Sequence, residues 1–189
     1  MSLINNKKFY HDAIKRFGVS AQGVHWNSKY SQYKRFEVLT SCIQNELSRS
    51  KIIDAGCGFA EYYHYLKKKQ RLPKNYIGID CESSMINIAQ NRFPSLEFYV
   101  QDVLIDELFY ADYYVCSGAM NLLNKNSFLH FITRAWQHSQ KGFVFNFLKQ
   151  KSFNGINAQE VIDFCYTLCP RVEVYDNYLK NDLTLFLRH

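Results

Sequence analysis

The chain has 189 residues, 47% of them hydrophobic and 21% charged, which is ordinary for a globular protein of one domain. No apolar stretch is long enough to span a bilayer, and the N-terminal residues lack the apolar core of a signal peptide. The six cysteines form neither a CxxC pair nor a zinc spacing with histidine. We therefore expect a cytoplasmic protein with reduced thiols and no metal site.

The net charge of +6 leaves nucleic acid open as a partner. The basic residues are dispersed, apart from a cluster within residues 67–74 that follows a helix-like segment. Cations suit the negative end of a helix dipole, and no nucleic-acid-binding motif accompanies them. The charge therefore does not favour nucleic-acid binding.

The first fifty residues are predicted to be mainly helical. Phe36, Leu39, Ile43 and Leu47 recur at steps of three and four, which places them on one helix face. Residues 23–30, ahead of this helix, are polar and aromatic and are typical of a loop. We expect residues 1–50 to form a helical lid and 51–189 to form the core of a single domain.

From residue 51 onward, strand-like and helix-like segments alternate. The predicted strands cover residues 51–55, 76–80, 96–100, 112–116, 143–148, 171–175 and 183–187. The predicted helices cover residues 61–69, 85–93, 127–138 and 159–168, with Ser83 as N-cap of the second. Helices between the first five strands predict an α/β fold with a mainly parallel sheet. The last two strands are joined too closely for a helical crossover and should form an antiparallel hairpin.

A glycine loop and two acids follow the first three predicted strands. Gly56 and Gly58 let the backbone turn tightly and approach a ligand closely. Asp80 ends the second strand, where a carboxylate accepts hydrogen bonds from ribose hydroxyls, and Asp102 follows the third, within reach of an adenine amine. Asp54, at the end of the first strand, either orients the glycine loop or touches the ligand. The pattern predicts a nucleoside site at the carboxyl edge of the sheet.

The glycine spacing also separates two cofactor classes. A dinucleotide fingerprint requires a third glycine where this chain has Glu61. An acid at that position would repel a pyrophosphate. S-adenosylmethionine has no phosphate and carries a sulfonium cation, so it suits an acidic pocket better.

These segments together resemble the class I S-adenosylmethionine-dependent methyltransferase family. The resemblance rests on residues 53–58 (IDAGCG), 78–80 (GID), 83–89, 101–102 (QD) and 117–118 (SG). It implies a Rossmann-like, doubly wound seven-stranded sheet in the order 3-2-1-4-5-7-6, with the last strand antiparallel and helices on both faces.

The resemblance also implies roles for single residues. The glycine loop would run beside the methionine part of the cofactor, and Asp80 would hold the ribose. Asp102 and the backbone of Val103 would bind adenine, with Cys81 and Met85 packed against it. Ser117 and Gly118 would lie beside the amino-acid end of the cofactor.

The remaining candidates lie in the lid and after the fourth strand. In the related family the region before the sheet often folds over the cofactor, so Arg35 is a candidate to pair with its carboxylate, and Trp26 or Tyr30 to cover the site. The alternatives are a solvated Arg35 and a packing role for Trp26. His25, Tyr30 and Asn121 are candidates to contact the methyl acceptor, although Asn121 is favoured as a helix cap.

No catalytic base is assigned, because methyl transfer can rely on positioning the acceptor. Residues 117–121 lack the Pro-Pro-aromatic signature of methyltransferases acting on adenine or glutamine amines. With little chain outside the sheet to grip a macromolecule, we expect a small-molecule acceptor. The alternatives are a cofactor-binding module, a methyltransferase directed at RNA or protein through its basic surface, and an NAD-dependent oxidoreductase.

Overall fold

The computed structural model describes residues 28–149 and 157–189 of the chain. Seven strands form one sheet: β1 (Lys51–Ala55), β2 (Asn75–Asp80), β3 (Glu97–Val100), β4 (Ala111–Ser117), β5 (Ser139–Leu148), β6 (Val172–Tyr175) and β7 (Asp182–Arg188). Five α-helices accompany them: α1 (Lys29–Ile43), α2 (Glu61–Lys68), α3 (Ser83–Arg92), α4 (Lys125–Gln137) and α5 (Ala158–Leu168).

The sheet has the predicted order, β3-β2-β1-β4-β5-β7-β6. The first five strands are parallel, and β7 is antiparallel to both of its neighbours. The order reverses at β1 and β4, whose carboxyl ends therefore flank a crevice of the kind that binds ligands in doubly wound sheets. The class of fold and the closing hairpin are confirmed.

Both faces of the sheet are buried, as expected for parallel strands covered by helices. Successive side chains of β4 alternate between the faces, so that Tyr114 packs in one hydrophobic core and Tyr113 and Val115 in the other. Helices α4 and α5 cover the first core, and α1, α2 and α3 cover the second. Helix α1 also packs against β4, β5 and β7.

The predicted face of the N-terminal helix is confirmed for Phe36, Leu39 and Ile43, which are buried, whereas Leu47 is also buried but lies beyond the helix, in a short 3₁₀ turn. The helix itself begins after Ser28, whose side chain accepts a hydrogen bond from the Ser31 N–H at 3.1 Å. Tyr30, predicted in a loop, therefore lies in its first turn.

Two predicted cap positions are wrong. Ser83 is the first residue of α3 and Glu82 precedes the helix, without a side-chain cap. Helix α4 is capped by Asn124, which accepts from the Ser127 N–H at 2.9 Å, and not by Asn121. In both cases, spacing along the chain located the helix to within a turn, whereas the cap depends on local backbone geometry.

All six cysteines are free thiols, and all are buried except Cys81, which is exposed. Within the described ranges, no helix has the length and hydrophobicity needed to cross a membrane. The same residues contain no group of three His, Cys, Asp or Glu side chains placed to hold a metal ion.

Candidate active site

A cavity of about 230 Å³ lies at the carboxyl ends of β1, β2 and β4. Ten residues expected at a cofactor site line it: Asp54, Gly56, Gly58, Asp80, Cys81, Met85, Asp102, Val103, Ser117 and Gly118. These residues come from four separate segments of the chain, which the parallel topology brings to one edge of the sheet.

The glycine loop is held against β2 by its backbone. The N–H groups of Gly56 and Cys57 both donate to the Ile79 carbonyl, at 2.8 and 3.0 Å. Gly56 and Gly58 have φ angles of 78° and 53°, in the left-handed region that glycine tolerates. A Cβ on Gly56 would lie 2.2 Å from the Cβ of Ala119, so the tight packing of this loop also excludes a side chain.

Asp80 joins the glycine loop to the end of β2. Its two carboxylate oxygens accept from the N–H groups of Gly58 and Glu82, each at 2.9 Å. Each oxygen keeps a further lone pair for a ligand hydroxyl. Burial raises the pKa of Asp80 to about 6, opposed by these backbone hydrogen bonds and assisted by the acidic neighbours Glu82 and Asp102.

Asp54 lies deeper, with 3% of its surface exposed. The Tyr76 hydroxyl donates to its Oδ2 at 2.5 Å. Burial raises the pKa of Asp54 to about 7, although the Tyr76 hydrogen bond favours the charged form. Asp54 thus has a fixed orientation and also lines the cavity, so both roles considered from the sequence are compatible with its position.

The cavity wall is acidic. Five carboxylate residues line it, namely Asp54, Glu61, Asp80, Glu82 and Asp102, whereas none of the lining residues in the described part of the chain is Lys or Arg. Behind the wall, Arg92 pairs with Glu61 at 2.9 Å, and the Tyr33 hydroxyl donates to the same carboxylate at 3.2 Å. A polyphosphate would meet the negative charge of the carboxylates other than Glu61 here, whereas a cation would be stabilised.

Two buried polar atoms on the cavity wall have no hydrogen-bond partner within the protein: Oε1 of Gln101 and Oγ of Ser117. Most buried polar atoms in folded proteins have a hydrogen-bond partner. Two such atoms without a partner on a cavity wall therefore indicate positions at which a ligand could form hydrogen bonds. Asp102 is partly engaged, since its Oδ1 accepts from the Leu104 N–H at 2.8 Å.

Three candidates from the sequence do not line this cavity. Arg35 is not a cavity residue, because its guanidinium forms a buried pair with the Asp182 carboxylate. Tyr30 does not cover the cavity, since 73% of its surface is exposed and it is not a lining residue. Asn121 instead accepts a hydrogen bond from the Leu148 N–H at 3.2 Å, which ties the segment after β4 to the end of β5.

Trp26 and His25 lie outside the described residues. Among the described residues, sequence reasoning missed two contributions of α1 to the cavity, from Gln32 and Phe36. Phe36 was assigned to the core through its helical spacing, and Gln32 lies one turn before it on the same face. That spacing was the available signal for Gln32.

Comparisons with known proteins agree with this geometry. Residues 52–142 match the family model of a methyltransferase domain. An 83-residue stretch of this chain is also 34% identical to part of a protein of Invertebrate iridescent virus 6 described as a putative methyltransferase. That alignment covers 41% of this chain and 31% of the viral protein, so it spans about a third of the relative.

Solved structures show the same fold at low identity. The N-methyltransferase NodS from Bradyrhizobium japonicum, in complex with S-adenosylhomocysteine, matches with a TM-score of 0.72 and 14% identity, over 97% of this chain and 98% of that one. Magnesium protoporphyrin IX methyltransferase from Synechocystis, with bound SAM, matches with a TM-score of 0.70 and 12% identity over the full length of both chains.

Proposed function

We propose that this chain is a class I S-adenosylmethionine-dependent methyltransferase, similar to the methyltransferase domain whose family model matches residues 52–142, and that it transfers the methyl group of S-adenosylmethionine to a small-molecule acceptor. The observation that carries this proposal is the acidic cavity wall, which lacks Lys and Arg among the described residues. A sulfonium cofactor is compatible with such a wall, whereas the pyrophosphate of NAD would be repelled.

The residues present fit the cofactor. The Asp80 carboxylate would hold the ribose, because each of its oxygens has a free lone pair beside the glycine loop. The unpaired oxygens of Gln101 and Ser117 would gain partners from the polar groups of the nucleoside and the amino acid. Asp102 and Val103 would border adenine, with Cys81 and Met85 against its ring.

The cofactor supplies a methyl group already activated by its sulfonium charge. The protein must therefore bind both partners, exclude water and align the acceptor for in-line displacement. The aromatic residues Phe36, Phe59 and Tyr62 on the cavity wall exclude water, because they provide apolar surface next to the carboxylates. We assign no general base.

A small-molecule acceptor is supported by the fold. The described residues form one sheet with its covering helices and add no second lobe for a macromolecule. Solved neighbours of the same fold include enzymes named for small acceptors, such as magnesium protoporphyrin IX methyltransferase. We further propose that residues 1–50 form a lid over the cofactor. Within this segment, Gln32 and Phe36 of α1 line the cavity wall.

Calorimetric titration tests the proposed cofactor. We expect S-adenosylmethionine and S-adenosylhomocysteine to bind with about micromolar dissociation constants, near −8 kcal/mol, and NAD not to bind. The three ligands share adenosine, so the comparison tests which group the site accepts at the 5′ end of that nucleoside. Binding of NAD alone would assign the site to an oxidoreductase, and binding of none would reject a competent cofactor site.

Binding should also depend on pH. Ribose hydroxyls donate to the ionised Asp80 carboxylate, whose pKa in the free protein is about 6. Because only about a tenth of a group with that pKa is ionised at pH 5, S-adenosylhomocysteine should bind about tenfold more weakly at pH 5 than at pH 7.5. Calorimetry across this range measures the effect.

The variant Asp80→Asn is the control for this titration. It should bind weakly at every pH and lose the step near pH 6, and any step that persists near pH 7 would belong to Asp54, whose pKa is about 7. A wild-type affinity that stays constant from pH 5 to 7.5 would contradict a charged Asp80 in the bound state.

A further inference from the structure

A row of polar side chains crosses the sheet beneath α1, next to the cavity. Ser117 on β4 pairs in register with Asn146 on β5, and Asn146 with Thr184 on β7. Residues in register project from the same face, on strands about 4.8 Å apart. The row therefore begins at the cavity wall, where Ser117 is a lining residue, and continues away from the glycine loop, which follows β1 on the other side of β4.

Asn146 is the unusual member of this row. It is 1% exposed, and neither Nδ2 nor Oδ1 of its amide has a partner with full hydrogen-bond geometry. Thr184 differs, because its hydroxyl is 2.8 Å from that of Tyr178. Burial raises the pKa of Tyr178 to about 12, and a weak hydrogen bond from the Asn146 amide N–H opposes that rise. This contact engages only Nδ2, so Oδ1 of Asn146 has no donor.

An unpaired buried amide reduces stability, and a leucine of similar shape would avoid that cost. The row of residues below it on the same face is apolar, with Val115, Val144 and Phe186 in register. An apolar residue at position 146 would therefore suit the packing. A buried asparagine at this position lowers the stability of the free protein, and a ligand that forms hydrogen bonds with the amide would explain why it is there.

We propose that the side-chain amide of Asn146 binds the methyl acceptor, through a paired donor and acceptor on an uncharged, amide-like group such as a lactam or carboxamide. This inference rests on the proposed methyltransferase function. An amide presents an N–H donor beside a carbonyl acceptor, so its complement is the reverse pair on one edge of a ligand. The Ser117 hydroxyl, also unpaired, supplies a further hydrogen bond between this edge and the cofactor side of the cavity.

The charges near this row favour a neutral ligand group. Arg35 and Asp182 pair with each other at the same end of the sheet, with both side chains 5% exposed. Because their charges compensate, they provide little net attraction for an ion. The acceptor group is therefore selected by hydrogen-bond pattern and not by charge.

Thermal unfolding separates a binding role from a structural one. We expect Asn146→Leu to raise the melting temperature by a few degrees, about what relief of one unpaired buried amide gives in a chain of this size. Asn121→Leu is the matched control and should lower it, because Oδ1 of Asn121 accepts from the Leu148 N–H. A fall in melting temperature for Asn146→Leu would assign that amide a structural role and overturn the proposal.

Side-chain amide NMR tests binding directly on the wild-type protein saturated with S-adenosylhomocysteine. The probe is 2-pyridone, whose ring carries the donor and acceptor on one edge, and the comparison is 1-methyl-2-pyridone, which lacks the donor. We expect 2-pyridone to shift the Asn146 amide resonances with a dissociation constant in the millimolar range, about that of a seven-atom fragment. The methylated analogue should bind at least about tenfold more weakly, the cost of one lost hydrogen bond.

The outcomes distinguish this inference from the proposed function. Asn146→Leu should abolish the shifts that 2-pyridone also causes in the backbone amide resonances of Ser117 and Phe147, while S-adenosylhomocysteine binds within about twofold of wild type. Equal responses to the two probes, no response to 2-pyridone, or lost cofactor binding in Asn146→Leu would each overturn the acceptor role. Failure of the wild-type protein to bind S-adenosylhomocysteine would instead reject the proposed function on which it rests.

Discussion

Asp80→Ala is expected to weaken the binding of S-adenosylhomocysteine by about 100-fold, the cost of two charge-assisted hydrogen bonds to the ribose. The expected loss has a second source in the free protein. The carboxylate accepts from the N–H groups of Gly58 and Glu82, each at 2.9 Å, so it also fixes the glycine loop against the end of β2. The alanine variant loses the direct contact and the orientation of the loop together.

Calorimetry on the folded variant measures this effect, with circular dichroism to confirm the fold. The control is Asp163→Ala, which removes an acid from the exposed face of α5 and should leave the affinity unchanged. Asp80→Asn separates the two contributions, because it keeps an oxygen for one backbone N–H but removes the charge. If Asp80→Ala binds as tightly as wild type, Asp80 is not a cofactor ligand.

Asp182→Ala is expected to reduce the free energy of unfolding by about 3–5 kcal/mol, as for other buried ion pairs that lose one partner. The Arg35 and Asp182 side chains are each 5% exposed, and two guanidinium nitrogens contact the two carboxylate oxygens. Removing the carboxylate takes from the buried guanidinium the charge with which it forms two hydrogen bonds. In a chain of this size, the loss corresponds to a fall of about 10 °C or more in melting temperature.

The double variant Arg35→Met with Asp182→Leu is the matched control. It removes both charges and fills their space with apolar side chains, so most of the lost stability should return. Denaturant unfolding of Arg35→Met, Asp182→Leu and the double variant measures the coupling. A loss below about 1 kcal/mol in Asp182→Ala, typical of an exposed pair, would show that this pair does not secure α1.

This ion pair also bears on the active site. Helix α1 places Gln32 and Phe36 in the cavity wall, and Arg35 lies on the same segment. Loss of the pair should therefore weaken cofactor binding through movement of α1, although Arg35 itself does not line the cavity. The double variant Arg35→Met with Asp182→Leu should restore the free energy of unfolding and the affinity for the cofactor together.

Much of the fold was predictable because its signals are local. Apolar runs ending in glycine or an acid indicated β1 and β2, and the short link before β7 required an antiparallel hairpin. The strand order came from resemblance to the family and is confirmed by the structure. Cap residues were not predictable, since Glu82 and Asn124 take these positions through backbone geometry at a single residue.

The cofactor side of the cavity was also predictable, because each contributing segment directly follows a strand. The carboxyl ends of parallel strands meet at one edge, so residues such as Gly56, Asp80 and Asp102 converge without further information. The position of Glu61 in the cavity wall likewise followed from the glycine spacing. Sequence alone thus located the proposed nucleoside site and its acidic character.

Pairings between distant segments were decided by the tertiary structure. Arg35 and Asp182 are 147 positions apart, and no periodicity indicates that helix α1 crosses the start of β7. The same holds for Asn146, which is an ordinary polar residue within a predicted strand until the register of β4 and β5 places it beside Ser117, with no full hydrogen-bond partner for its amide. Local patterns determine which face a side chain occupies, whereas its partners depend on how separate elements dock, and only the folded chain fixes that.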